Sequence, residues 1–114
     1  MNIYYYLCFF KSNQMKEDVF NQFVERVVNL FGIVKEELFL KSKKRNLVDA
    51  RQLVYYLCSE RPIRVMYIQK FMQNNGYSVS HSSIIHGISV MNKRVEEDKD
   101  YRAIANEINK AVFI

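Results

Sequence analysis

"PIRVMYIQKFMQNNGYSVSHSSIIHGISVMNKRV", residues 62–95, contains two apolar periodicities separated by a short polar break. In the first half Val65, Ile68, Phe71 and Met72 recur at helical steps, and Gly76 stands just past their end. Pro62 suits the start of that helix, where its missing N–H has no partner to lose. In the second half Ile84, Ile88, Met91 and Val95 form one stripe, and Ser80 occupies an N-cap position. Two helices over 62–75 and 80–95, joined by a short loop, have the layout of a helix-turn-helix.

The second helix opens on a dense polar cluster, Ser80, His81, Ser82 and Ser83. In a helix-turn-helix the second helix enters the major groove, and its first turn meets base edges and phosphates. Small hydroxyls and an imidazole can approach DNA closely there while the isoleucines behind them hold the helix to the core. Ser82 and Ser83 can donate to phosphates or base acceptors, and His81 can reach a base edge. The first-turn amides add partial positive charge where phosphate would lie. Ordinary helix capping accounts for the serines as well, and taken alone it is the favoured reading. His86, close to the apolar stripe, reads as a half-buried, hydrogen-bonded histidine.

Upstream, Val19, Phe20, Phe23, Val24, Val27, Leu30 and Phe31 predict an amphipathic helix from Glu17 that stops at Gly32. "VKEELFL" adds a helical turn with Leu38 and Phe39 inward. "KSKKRN", residues 41–46, is a strongly basic run. Asn46 is placed to cap the following helix, whose apolar residues are Leu47, Ala50, Leu53, Val54 and Leu57. Lys41, Lys43, Lys44 and Arg45, with Arg51 just beyond, could neutralise several phosphates, each one steepening the salt dependence of binding. A basic loop residue can also probe an A·T-narrowed minor groove. After the charged break "EEDKD", Tyr101, Ile104, Ala105, Ile108 and Val112 predict a last helix. The expectation is an all-α bundle of about six helices.

Composition agrees with this reading. The 114 residues are 49% hydrophobic, enough for one core, and only three glycines and one proline leave little turn chemistry for a sheet. Lys plus Arg number 17 against 12 Asp plus Glu, a net charge of +5 and a pI near 9.2, which leans towards a polyanionic partner. Cys8 and Cys58 have no CxxC or Cys/His context, so Cys58 reads as a small buried hydrophobe and the chain as cytoplasmic. The first residues, "MNIYYYLCFF", are too few to span a bilayer and lack the flanks of a signal peptide. Residues 1–16 are expected to be an appended apolar arm, and 17–114 the domain itself. No phosphate-binding loop, HExxH or nucleophile elbow is present, and the acidic pairs Glu36–Glu37 and Glu96–Glu97 read as solvated faces. No enzyme, metal, cofactor, nucleotide or membrane association is expected.

From about Val19 to Val112 the chain resembles the C-terminal, DnaA-box-binding domain of the bacterial replication initiators of the DnaA family. "FGIVKEELFLKSKKRNLVDARQLVYYL", residues 31–57, is similar without gaps to the family's helix, basic loop and long helix, including its Arg-Gln pair. "SHSSIIHGI", residues 80–88, resembles the signature Asp-His-Thr-Thr-Val-Ile-His-Ala. The resemblance implies a TrpR-like helix-turn-helix that binds short A·T-rich boxes in double-stranded DNA. It implies Lys43 in the minor groove, base reading by Ser80, His81 and Ser82, and phosphate contacts from Arg51, Gln52 and Ser83. Lys41, Lys44 and Arg45 join them as phosphate contacts on charge alone.

There are departures. The signature's aspartate is Ser80, its Gly-Gly-Arg lead-in is the longer "NNGYSVS", and an Arg-Lys pair falls on Ser89 and Val90, with Lys93 and Arg94 one turn on. The initiator's ATPase module has no counterpart in these residues, so the resemblance implies a stand-alone DNA-reading module. A replication or regulatory protein is admissible as a further partner. Two other readings stay open: a transcriptional regulator at an unrelated operator, and a helical adaptor without DNA that binds the host initiator or oligomerises through "MNIYYYLCFF", residues 1–10.

Overall fold

The computed structural model describes residues 3–112, with side chains from Gln14 onward. The helices are α1 (Ile3–Phe31), α2 (Lys35–Leu38), α3 (Arg45–Glu60), α4 (Val65–Asn74), α5 (His81–Glu97) and α6 (Lys99–Ala111). No strand occurs among the described residues. The all-helical expectation holds, and the order of elements is the one the sequence periodicity implies.

α3 is the central element, packed chiefly against α1 and α5. Leu53, Val54, Tyr55, Tyr56, Leu57 and Cys58 are all buried, so this half of the helix is enclosed on every side rather than along one stripe. α1 brings Val19, Phe20, Phe23, Val24 and Val27 to the same core. α4 adds Ile68, Phe71 and Met72, with the Phe71 and Phe20 rings 5.4 Å apart at their centroids. α5 contributes Ile84 and Met91, and α6 Ala105 and Ile108.

Both helix-ending glycines take the left-handed conformation that a Cβ disfavours, Gly32 at φ 65° and Gly76 at φ 86°. Each closes its helix with a paired reversal: the amides of Gly32 and Ile33 reach the carbonyls of Asn29 and Val28, and those of Gly76 and Tyr77 reach Gln73 and Met72. Tyr77 is thereby fixed at the exit of α4.

Three boundaries differ from the sequence expectation. α1 starts at Ile3 instead of Glu17, so from Ile3 the arm continues the helix backbone; the packing of side chains before Gln14 lies outside the described residues, and Lys16 Nζ lies 4.4 Å from the centroid of the Tyr67 ring. α3 starts at Arg45 with Lys44 as N-cap, leaving Asn46 inside the helix and not capping it. α4 starts at Val65, with Pro62 in the preceding turn. There the Ile63 amide donates to Arg61 O at 2.6 Å in a tight turn around Pro62, the Ile63 side chain is buried, and Arg64 is extended at φ −72°, ψ 157°.

Candidate nucleic-acid interface

α4, the six residues 75–80 and α5 form the helix-turn-helix pair. The linker is held down from α4: Gln69 Nε2 donates to Val79 O at 2.9 Å. Ser80 is the N-cap of α5, its Oγ accepting the Ser83 amide at 3.1 Å and its hydroxyl 3.0 Å from Ser83 Oγ. The capping reading of this serine is therefore realised, and the cap leaves His81, Ser82 and Ser83 exposed on the first turn. Behind them Ile84 and Met91 are fully buried. Gly87 faces α3, where the Tyr55 ring and the Gln52 side chain leave room for little more than a hydrogen. Ser82, His86, Ser89 and Lys93, spaced four, three and four residues apart, all stay exposed and form the outward ridge of α5.

His86 is exposed, not half-buried as its apolar neighbours suggested. Its neighbour Ile85 is 56% exposed as well, whereas Gly87 on the other side is buried. His86 and Tyr77 are the residues of this face that sequence reasoning passed over; the step of four from Ser82 was the available signal for His86.

Beside α5 lies the basic loop between α2 and α3. Lys41, Lys43, Lys44 and Arg45 are exposed, and Ser42 is half-buried. The loop is shaped from behind by Arg51, which is 4% exposed. Arg51 Nε donates to Leu38 O at 2.7 Å, Nη1 to Ser42 O at 3.0 Å, and Nη2 to Leu40 O. Its guanidinium lies 4.6 Å from the centroid of the Tyr77 ring. Arg51 is thus directed into the protein, where the sequence suggested an open cation. Arg94 is likewise committed, 3.6 Å from Asp49 and with its guanidinium 5.2 Å from the centroid of the Tyr101 ring. Asp49 also pairs with the exposed Arg45 at 3.6 Å.

Between α3 and the start of α5 runs an open cleft of about 440 Å³ that brings Arg51, Gln52, Ser80, Ser82 and Ser83 together with Tyr77 and His86. Tyr55 lines it from α3; burial, and then the nearby Tyr77, push its hydroxyl pKa well above the usual phenol value. His81 and the loop lysines lie outside the cleft. Among the described residues no group of His, Cys, Asp or Glu could hold a metal ion, and no helix is long and apolar enough to cross a membrane.

Comparison with curated proteins gives several chromosomal replication initiator proteins. The chain is 26% identical over 104 residues to the chromosomal replication initiator protein DnaA of Flavobacterium psychrophilum, covering 88% of this chain and 20% of that protein. The chain is similar to DnaA. For the DnaA of Bacteroides thetaiotaomicron the identity is 27% over 97 residues, 84% of this chain and 20% of the relative. For that of Nautilia profundicola it is 28% over 96 residues, 80% and 20%. The chain spans about a fifth of the length of these DnaA proteins. No family model matches, and no solved structure matches.

Proposed function

We propose that the chain binds double-stranded DNA with sequence preference, in the initiation of replication or its control. The observation that carries this is the open first turn of α5, where His81, Ser82 and Ser83 stand clear of the core while a loop bearing exposed Lys41, Lys43 and Lys44 is fixed behind by Arg51. Similarity to DnaA supports it. α5 enters the major groove, with Ser80, His81 and Ser82 at base edges. Lys43 reaches the adjacent minor groove, and Lys41, Lys44, Arg45, Gln52 and Ser83 meet phosphates. The DNA-reading module runs from residue 17; residues 1–16, which from Ile3 onward continue α1, take no part in the DNA contacts.

The test is selection of bound sites from a random duplex library at near-physiological salt, with His81→Ala beside the wild type. A short A·T-rich motif that weakens by ~1–3 kcal/mol in the variant, with little change on random duplex, is the expected result. A sharp but unrelated motif would keep the docking geometry and favour a transcriptional regulator. Absence of enrichment would overturn the reading.

A further inference from the structure

Arg51 and Tyr77 meet where the two DNA-reading elements join. The Arg51 guanidinium bonds edge-on to three carbonyls of the basic loop and its approach, those of Leu38, Leu40 and Ser42. It also stacks on Tyr77, whose amide closes α4 on Met72 O at 3.0 Å. A single guanidinium therefore holds the loop by hydrogen bonds and meets the lead-in of α5 over the Tyr77 ring. Only an arginine can do both: a lysine at this position has neither the fork nor the flat face. Arg51 is 4% exposed, so its charge is spent within the protein, while the lysines it organises are open.

We propose that Arg51 and Tyr77 form a positioning clamp that holds the basic loop in register with the recognition helix, so that Lys43 and α5 engage one duplex together. This rests on the DNA-binding reading above. Arg51 acts through the loop, and Tyr77 acts through Arg51. The lead-in "NNGYSVS" thereby has a purpose, since it supplies the ring against which the guanidinium lies.

The experiment measures affinity of the full chain for the selected duplex over a series of salt concentrations, for wild type, Tyr77→Leu, Lys43→Ala and the double variant. Tyr77→Leu removes no charge, yet the clamp requires the slope of log K against log salt to become shallower by about 0.9 for each phosphate that is no longer neutralised. Affinity should fall about tenfold, and Lys43→Ala should cost less in the Tyr77→Leu background than alone, because the loop is already out of register. Tyr77→Phe keeps the ring and should bind as wild type. A melting curve checks that each variant is folded; should Tyr77→Leu not fold, Tyr77→Met carries the same comparison. An unchanged slope with additive losses would overturn the clamp while leaving DNA binding intact. A wild type without salt-dependent duplex binding would instead overturn the DNA-binding reading, and the clamp with it.

Discussion

Gly87 on α5 faces the Tyr55 ring on α3 so closely that a Cβ on the glycine would lie 3.0 Å from Tyr55 Cδ2 and 3.1 Å from Gln52 Cγ. This approach sets the distance between α3 and α5. Gly87→Val overpacks the crossing and should lower stability by ~1–3 kcal/mol, read as a shift of the urea midpoint at unchanged slope. Gly87→Ala gains roughly 1 kcal/mol of helix propensity against a smaller clash and should lie near wild type. A Val variant as stable as wild type would show that α5 can move away from α3 freely.

Ser80 has two duties that substitution can separate. Its hydroxyl oxygen caps α5 by accepting the Ser83 amide, and the proposed interface uses it at a base edge. Ser80→Ala should cost ~0.5–2 kcal/mol of thermal stability through removal of the cap. Ser80→Asp keeps an acceptor and places negative charge at a helix N-terminus, so its melting temperature should equal or exceed that of wild type. In site selection the Asp variant should gain preference for cytosine, whose amino group donates in the major groove. A preference indistinguishable from wild type would confine Ser80 to capping.

How far the sequence went is visible in these residues. The stripes of α4 and α5, that of α1 apart from Leu30, which is exposed, the reversals at Gly32 and Gly76 and the cap at Ser80 are local, each set by residues within a turn or two, and were legible. Arg51 was not. A cation among apolar neighbours reads equally as surface charge or buried donor, and its partners are backbone carbonyls nine to thirteen residues upstream, which carry no side-chain signature. His86 was misread because three isoleucines surround it in sequence, and Ile85 turned out to face solvent. The start of α1 was missed because "IYYYLCFF" is apolar throughout and shows no helical period.

Alkaline pH should unfold the protein for a definite reason. Burial raises the Cys58 thiol above its ordinary value of 9.0, and burial followed by Tyr77 raises the Tyr55 hydroxyl above 10.0. In both, the folded chain keeps a proton that the unfolded chain releases. Their contribution to stability is therefore complete below the unfolded values and is lost as pH rises past them. Above pH about 9 stability should fall by about 1.4 kcal/mol per pH unit for Cys58, and more steeply once Tyr55 joins. Cys58→Ala should flatten the first part of that decline in urea titrations at fixed pH. An identical decline in the variant would place its origin in other groups.

Arg61 offers the opposite case to the loop cations, a charge that serves the fold alone. It lies just past the C-terminal end of α3, a helix about 24 Å long whose N-terminal end carries the basic loop. Its guanidinium donates to Asn109 Oδ1 at 2.8 Å and to the carbonyls of Asn109 and Val112, both at 2.7 Å, and lies 5.6 Å from the centroid of the Phe23 ring. These bonds tie the end of α6 to α1 and α3. Arg61→Met keeps much of the stem but leaves those acceptors without the donor, so stability should fall by roughly 2–3 kcal/mol. Exchange of α6 amides should quicken before that of α3. The salt slope of DNA binding, measured where the variant is folded, should stay at the wild-type value, because the same phosphates are neutralised with or without a cation at this distance. A shallower slope would mean that the DNA path extends to the far end of α3, and the proposed interface would have to be redrawn to include it.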